Sequence, residues 1–387
     1  MSGGRRIAVV TGSRADYGLL RPLLRALDAH DGFELRTVVT GMHLEPRFGD
    51  TWRAIEADGL AIEARVPTGL VDDAPTTLAA AMGRGVAGCG EAFAALAPDL
   101  VVVLGDRFEI LAAVSAALVH RIPVAHLCGG DVTEGAWDEG IRHAISKLAH
   151  LHFPTHADAA RRLIAMGEPP DRVHAVGSTG IDTLLATELL DRTALEADLG
   201  FRLRERNVLV TFHPETLAPD LGVADADELL AALDALGDGV GLLFTLPNAD
   251  SGGAAVRARI ESFMAGHGNA RAWTSLGQLR YLSAMKHVDA VVGNSSSGLY
   301  EAPSLRVPTV NVGGRQDGRA RAASVLDVPP ERTQIERAVR AAFTLDCGAA
   351  VNPYGDGRAV PRIVAVLEAT TNFRTLLRKG FHEEARP

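Results

Sequence analysis

Between Val101 and Phe153 the chain sets acids, bases and cations at short spacing behind two apolar runs. Asp106 and Arg107 follow Val101–Leu104. His126, Cys128, Asp131 and Glu134 follow or close the run Ile122–Leu127, and Asp138, Glu139, Arg142 and His143 come next in helical period. Carboxylates whose proton affinity is set by burial and neighbouring charge can abstract a carbon-bound proton or protonate a sugar oxygen. Arg107, directly after Asp106, is expected to hold that carboxylate ionised. Asp138 and Arg142, four apart, share one helix face. Ordinary pairing on a helix surface is the plainer reading of part of this cluster.

A second set of residues suits an anion. Val291–Gly298 runs from a strand into a short helix through Asn294, Ser295, Ser296, Ser297 and Gly298. Three hydroxyls and free backbone N–H groups at such a turn make a neutral, donor-rich cradle for a diphosphate, and Glu301 can accept from a ribose hydroxyl. Serine is also favoured as a helix cap, which is the competing reading. His213 closes another strand, and Pro214 keeps it extended, so it is expected to project into a cleft between domains and donate to a departing oxygen. Arg315, Arg319 and Arg321 follow a Gly-Gly pair and can clamp phosphate, at least one of them being only solvated. The turn Thr11–Gly18, with Arg14, offers a weaker anion site, or none.

These residues need a frame that delivers them to one rim. Strand-like runs at Ile7–Thr11, Leu35–Thr40, Leu100–Leu104, Val124–Leu127, His152–Pro154 and Val173–Val176 alternate with helical patterns. A second series follows at Val208–Phe212, Gly241–Leu246, Ala272–Thr274, Ala290–Val292 and Thr309–Val312. The alternation predicts an α/β protein of parallel sheets, with ligands beyond the carboxyl ends of the strands. Two Rossmann-like domains are expected, over residues 1–195 and 196–365, hinged in the polar stretch Asp191–Asn207. The tail 366–387 is expected to pack back on the first.

The formal charge of -9 argues against a nucleic-acid partner. Three widely spaced cysteines and no signal-like start point to the cytoplasm, and no apolar run is long enough for a membrane span. No metal-ligand spacing stands out, so no metal is expected.

Taken together, TGSRADYG, TGMHLEPRFGDTWRAIEADG, LGDRFEILAA, HLCGGDVTEGAWDEGIRHAISKLAHLHF, TFHPET, GNSSSGLYEAP and VPTVNVGGRQDGR resemble the UDP-N-acetylglucosamine 2-epimerase family, over nearly the whole chain. They are most similar to its hydrolysing branch, which feeds sialic acid-type sugars. The resemblance implies a GT-B fold, a nucleotide-sugar partner and a homodimer or homotetramer, with no cofactor. It implies elimination of UDP across C1–C2 to a 2-acetamidoglucal, then addition of water to give N-acetylmannosamine. Asp106 and Asp138 take the places of family acid/base residues, and Arg107, His126, Arg142 and His143 those around the sugar. Arg14, His43, His213, Ser295, Ser296, Glu301 and Arg315 match positions that hold the nucleotide, its diphosphate or the sugar.

Cys128 departs from the pattern. Characterised epimerases have a catalytic glutamate there, within His-x-Glu-Gly-Gly, and a thiol is a poor replacement. Asp131 or Glu134 can fill the gap, or this branch never used that glutamate. Altered chemistry, with another nucleotide-sugar or a nucleophile other than water, stays open, as does an inactive sugar-nucleotide-binding protein. Cys128 as a plain buried residue at a strand end is open too.

Overall fold

A computed structural model describes residues 4–72, 74–133, 138–214, 220, 222–247 and 253–383. It divides the chain into two units, Met1–Thr183 with Tyr354–Pro387, and Leu184–Pro353.

In the first unit β1 (Arg5–Thr11), β2 (Phe33–Thr40), β3 (Ala64–Val66), β4 (Leu100–Leu104), β5 (Val124–Leu127) and β6 (Leu151–Phe153) form one sheet in the order β3-β2-β1-β4-β5-β6. All its pairings are parallel. Its helices include α1 (Arg14–Asp28), α2 (Arg53–Ala57), α3 (Pro75–Leu96), α4 (Phe108–Val119), α5 (Asp138–Leu148) and α6 (Ala157–Ala165), and Ala359–Ala369 near the C-terminus is helical too. Side chains alternate across a strand, so each strand feeds two cores. Ile7, Val9, Leu100 and Val102 join the core under α1, whereas Ala8, Val10, Val101 and Val103 join the one with α3 and α4 residues. The order reverses direction between β1 and β4, and at such a switch point ligands bind in doubly wound folds.

The second unit repeats the plan. Strands β7 (Arg206–Thr211), β8 (Val240–Thr245), β9 (Ala270–Trp273), β10 (Ala290–Gly293), β11 (Thr309–Val312) and β12 (Val325–Val328) are ordered β12-β11-β10-β7-β8-β9. Its switch point lies between β7 and β10, where Gly293 ends the strand at φ +130°. A Cβ on Gly293 would run into the Thr211 carbonyl oxygen.

Three expectations change. Val173–Val176 makes only a single bridge, Val173 to His152. The ladder stops because Pro154, next along, has no N–H to return. The short strands β3 and β12 lie outside the expected series, and most of their residues are partly or fully exposed. The expected hinge is an ordered part of the second unit: Arg192–Leu199 is helical, and Leu195, Leu199 and Leu203 are buried beneath Leu209. Its charges lie on the outer face of an amphipathic element, so the unit boundaries fall at Thr183 and Tyr354 instead of near 195 and 365.

Gly293→Ala is expected to destabilise by about 2 kcal/mol or more, since it combines a positive φ with a backbone collision. Thermal unfolding should show a Tm lower by roughly 5 °C or more.

Candidate active site

The carboxyl ends of β4 and β5 deliver the first cluster, and one guanidinium organises it. Arg142, buried on α5, donates from Nη1 to the Asp131 carbonyl oxygen (2.8 Å) and to Glu139 Oε2 (2.9 Å). From Nη2 it donates to Asp106 Oδ2 and to Thr133 Oγ1 (3.0 Å). Burial opposes its charge, but Asp106, Glu139 and Asp131 outweigh that and hold it protonated. Asp138 begins the same helix. Burial raises its pKa and the negative charge of Asp106 adds to the rise, while Arg107 and Arg142 pull the other way. His143 Nε2 pairs with Glu139 Oε1 at 2.9 Å.

Arg107 does not serve Asp106 as the sequence suggested; the partner of Asp106 is Arg142. Arg107 Nε instead donates to Glu109 Oε1 at 2.5 Å, Arg107 being the N-cap of α4 and Glu109 lying in its first turn. Glu109 is buried, and its carboxyl lies across the loop after β1. A Cβ on Gly12 would sit 2.6 Å from Glu109 Oε1. Asp16, buried in the first turn of α1, is pushed up to about 6, chiefly by burial, with Arg107 opposing and Glu109 adding. One oxygen each of Asp16 and Glu109 is buried with no hydrogen-bond partner. Neither residue stood out in the sequence. The only signal was indirect, a glycine at 12 where a larger residue would displace Glu109.

The other expected residues of this unit divide clearly. His126 is fully buried, with Nε2 at 2.8 Å from the Gly105 carbonyl oxygen and Nδ1 at 3.1 Å from Ser146 Oγ. Burial drives its pKa down to about 3, so the imidazole is neutral beneath the strand ends. His43 is held between Thr11 Oγ1 (3.0 Å) and Thr51 Oγ1 (2.7 Å), and burial lowers it to about 4. Asp131 pairs its carboxylate with Thr155 Oγ1 (3.0 Å) and His156 Nε2 (3.2 Å), and its charge adds to the rise at the Cys128 thiol. Cys128 adopts φ +63°, and burial pushes its thiol well above the usual range. Arg14 is exposed at the start of α1, and Glu134 lies outside the described residues.

In the second unit, Asn294 fixes His213 from both sides. Asn294 Oδ1 accepts from the His213 N–H (2.7 Å), and Nδ2 donates to the His213 carbonyl oxygen (2.9 Å). The Asn294 carbonyl oxygen accepts from Arg315 Nη1 (3.1 Å) and Gln316 Nε2 (2.8 Å). A cavity of about 380 Å³ at the strand ends is lined by Thr211, His213, Thr245, Tyr281, Ser295 and Ser297 among others. Ser296 precedes the short helix Ser297–Tyr300 without a capping bond from its side chain, so capping does not account for all three serines. Gly298 is needed for contact, since a Cβ there would sit 2.5 Å from Thr309 Cγ2. Burial raises Glu301 to about 7, and its Oε2 has no partner. Arg319 stacks on Tyr300, whereas Arg321 is tied to Asp327 and Asp317.

A profile of the UDP-N-acetylglucosamine 2-epimerase family matches residues 25–368. The chain belongs to that family. Family membership makes it an enzyme of 2-epimerase chemistry. Among its relatives, a Campylobacter jejuni protein named GDP/UDP-N,N'-diacetylbacillosamine 2-epimerase (hydrolyzing) is 37% identical over 324 residues, 84% of each chain. A Legionella pneumophila UDP-N,N'-diacetylbacillosamine 2-epimerase (hydrolyzing) is 35% identical over 97% of this chain and 98% of its own. The Escherichia coli polysialic acid biosynthesis protein P7 is also 35% identical, over 98% and 97%. In fold, the Neisseria meningitidis UDP-GlcNAc 2-epimerase crystallised with UDP-GlcNAc aligns with a TM-score of 0.75 at 22% identity, over 94% of this chain and 100% of that one.

In this family member the raised pKa of Asp16 has a stability consequence. Its folded value near 6 exceeds the ordinary 3.8, so the group favours folding below about pH 4 and loses that contribution as pH rises through 6. Asp16→Asn is therefore expected to stabilise the protein at pH 7.5 by up to about 3 kcal/mol. In thermal melts the gain should shrink steadily between pH 6 and pH 4.5.

Proposed function

We propose that the chain is a hydrolysing sugar-nucleotide 2-epimerase acting on a UDP-linked 2-acetamido sugar, with UDP-N-acetylglucosamine as the first choice. The observation that carries this reading is the Arg142 fork, which anchors Asp106 on the helix that begins with Asp138. Asp138 takes the C2 proton, the C1–oxygen pair leaves with UDP, and a C1=C2 double bond forms. Water then adds its oxygen to C1 while a proton returns to C2 from the opposite face, giving free 2-epimer and UDP. The C2 proton is weakly acidic, so departure of the diphosphate must lead. His213, Arg315 and the hydroxyls of Ser295, Ser296 and Ser297 are assigned to that diphosphate, where donors aimed at developing charge act most strongly. Glu301 is assigned to the ribose.

A raised pKa suits Asp138 for taking the C2 proton, and Asp106 is assigned to the return of a proton on the opposite face. Cys128, protonated and in a left-handed backbone, has no acid/base part; its place in the chemistry falls to the two aspartates. The names of two relatives at 37% and 35% identity favour a second substrate, UDP-N,N'-diacetylbacillosamine, for the same reaction. No described helix is long and apolar enough to cross a membrane, and the three free cysteines suit a reducing cytoplasm.

Incubation with both UDP-sugars in deuterium oxide tests the reading. UDP and free sugar carrying deuterium at C2 are expected from at least one. A UDP-linked epimer, or free sugar keeping its C2 proton, contradicts it. Asp106→Asn is expected to lower kcat by about 100-fold or more, and turnover within tenfold of wild type would remove Asp106 from proton transfer.

A further inference from the structure

We infer that Lys379 is a positioning residue of the epimerase reaction: its ammonium clamps the C-terminal end of α5 and so holds in register Asp138, at the other end, and Arg142, one turn in from it. The inference rests on the proposed roles of those two residues.

The last carbonyls of a helix have no partner within it. In α5 the Ala149 N–H serves the Ile145 and Ser146 carbonyl oxygens. Lys379 Nζ adds a donor to the carbonyl oxygen of Lys147 (2.6 Å) and, one residue past the helix, to that of Ala149 (2.7 Å). Its third donor goes to Glu168 Oε2 at 2.9 Å. Three donors meet three acceptors, and the side chain is only 15% exposed. A cation at this end also opposes the partial negative charge of the helix terminus.

The carboxylate beneath it is fixed in turn. Glu168, fully buried, also accepts from Lys147 Nζ (2.5 Å) and pairs with His152 Nε2 (2.8 Å). The chain carrying Lys379 is sewn down on either side. Arg172 donates to the carbonyl oxygens of Leu376 (2.7 Å) and Arg378 (2.8 Å), and the His382 N–H reaches the Gly167 carbonyl oxygen (2.9 Å). Phe381 lies on Gly167, with the Lys147 ammonium 5.0 Å from its ring centroid. These bonds span more than two hundred residues of sequence to reach one helix end. Surface packing of a tail does not require a buried, saturated ammonium there.

The Arg142 fork makes four hydrogen bonds to three chain segments. Its geometry tolerates little sliding of α5, because misplacement of a catalytic group by about 1 Å can cost on the order of 100-fold in rate. Ile141 and Ile145 hold the helix against the sheet, but apolar contacts resist sliding along the axis weakly. Lys379 supplies the axial stop.

In the full chain, Lys379→Met is expected to lower kcat at least tenfold while KM changes less than threefold and the protein stays folded at assay temperature. A Lys379→Cys variant is measured before and after treatment with 2-bromoethylamine, which rebuilds an ammonium of lysine length, beside wild type treated alike. Recovery to within threefold of treated wild type is expected. Hydrogen exchange gives a readout that needs no turnover: amides of Gly140–Arg142 should exchange faster in the Met variant. Unchanged kcat in that variant, or a loss that only tracks its unfolded fraction, overturns the inference. Were wild type inactive on every sugar nucleotide, the epimerase reading would fall, and unchanged exchange at Gly140–Arg142 would overturn the clamp independently.

Discussion

The guanidinium of Arg142 is the constraint on which the first unit turns. It is planar, permanently charged and rigid in its donor directions, and it is buried. Such a charge is tolerated only when its donors are met. Here they are met by the end of β4 through Asp106, by the connection after β5 through Asp131 and Thr133, and by α5 itself through Glu139. Removing one carboxylate leaves the cation undercompensated, so the strand ends and the helix are bound as one object. Arg107 plays a parallel part below, fastened to Glu109 and in the field of Asp16 and Asp138.

The two units solve different electrostatic problems on one topology. In the first, burial and neighbouring carboxylates raise Asp16 and Asp138 against the opposing pull of Arg107 and, at Asp138, Arg142. In the second, the described strand ends offer hydroxyls, a histidine fixed by Asn294 and a glutamate raised to about 7. Hydroxyl donors there need no counter-charge of their own, so the cavity can be built without the ion-pair lattice of the first unit. Gly293 is what lets β10 approach β7 closely enough for Asn294 to reach His213.

Much of this was legible in the sequence, for physical reasons. The run Leu100–Leu104 reads as a doubly buried strand because every residue in it is apolar, and all five are buried. Asp106, Asp138 and Arg142 announced themselves by charge at strand and helix ends. The pairing did not. Adjacency suggested Arg107 for Asp106, but neighbouring side chains diverge, and the true partner lies on α5, three elements after β4. Glu109 and Asp16 hid inside helical patterns, where acidic residues near an N-terminus are ordinary. His126 was expected at the rim and His43 only by family resemblance; both are buried, each between two neutral partners, which no local pattern announces. Lys379 was invisible because its partners are backbone carbonyls and a distant glutamate, contacts no local pattern encodes.

A double-mutant cycle on Asp106→Asn and Arg142→Met, read as kcat/KM, tests the central claim most directly. If the fork and its carboxylate act as a unit, the double variant should be no more than about threefold worse than the poorer single variant, because the second change removes nothing further. Losses that multiply, each variant contributing its full factor, would show two independent residues and contradict this account.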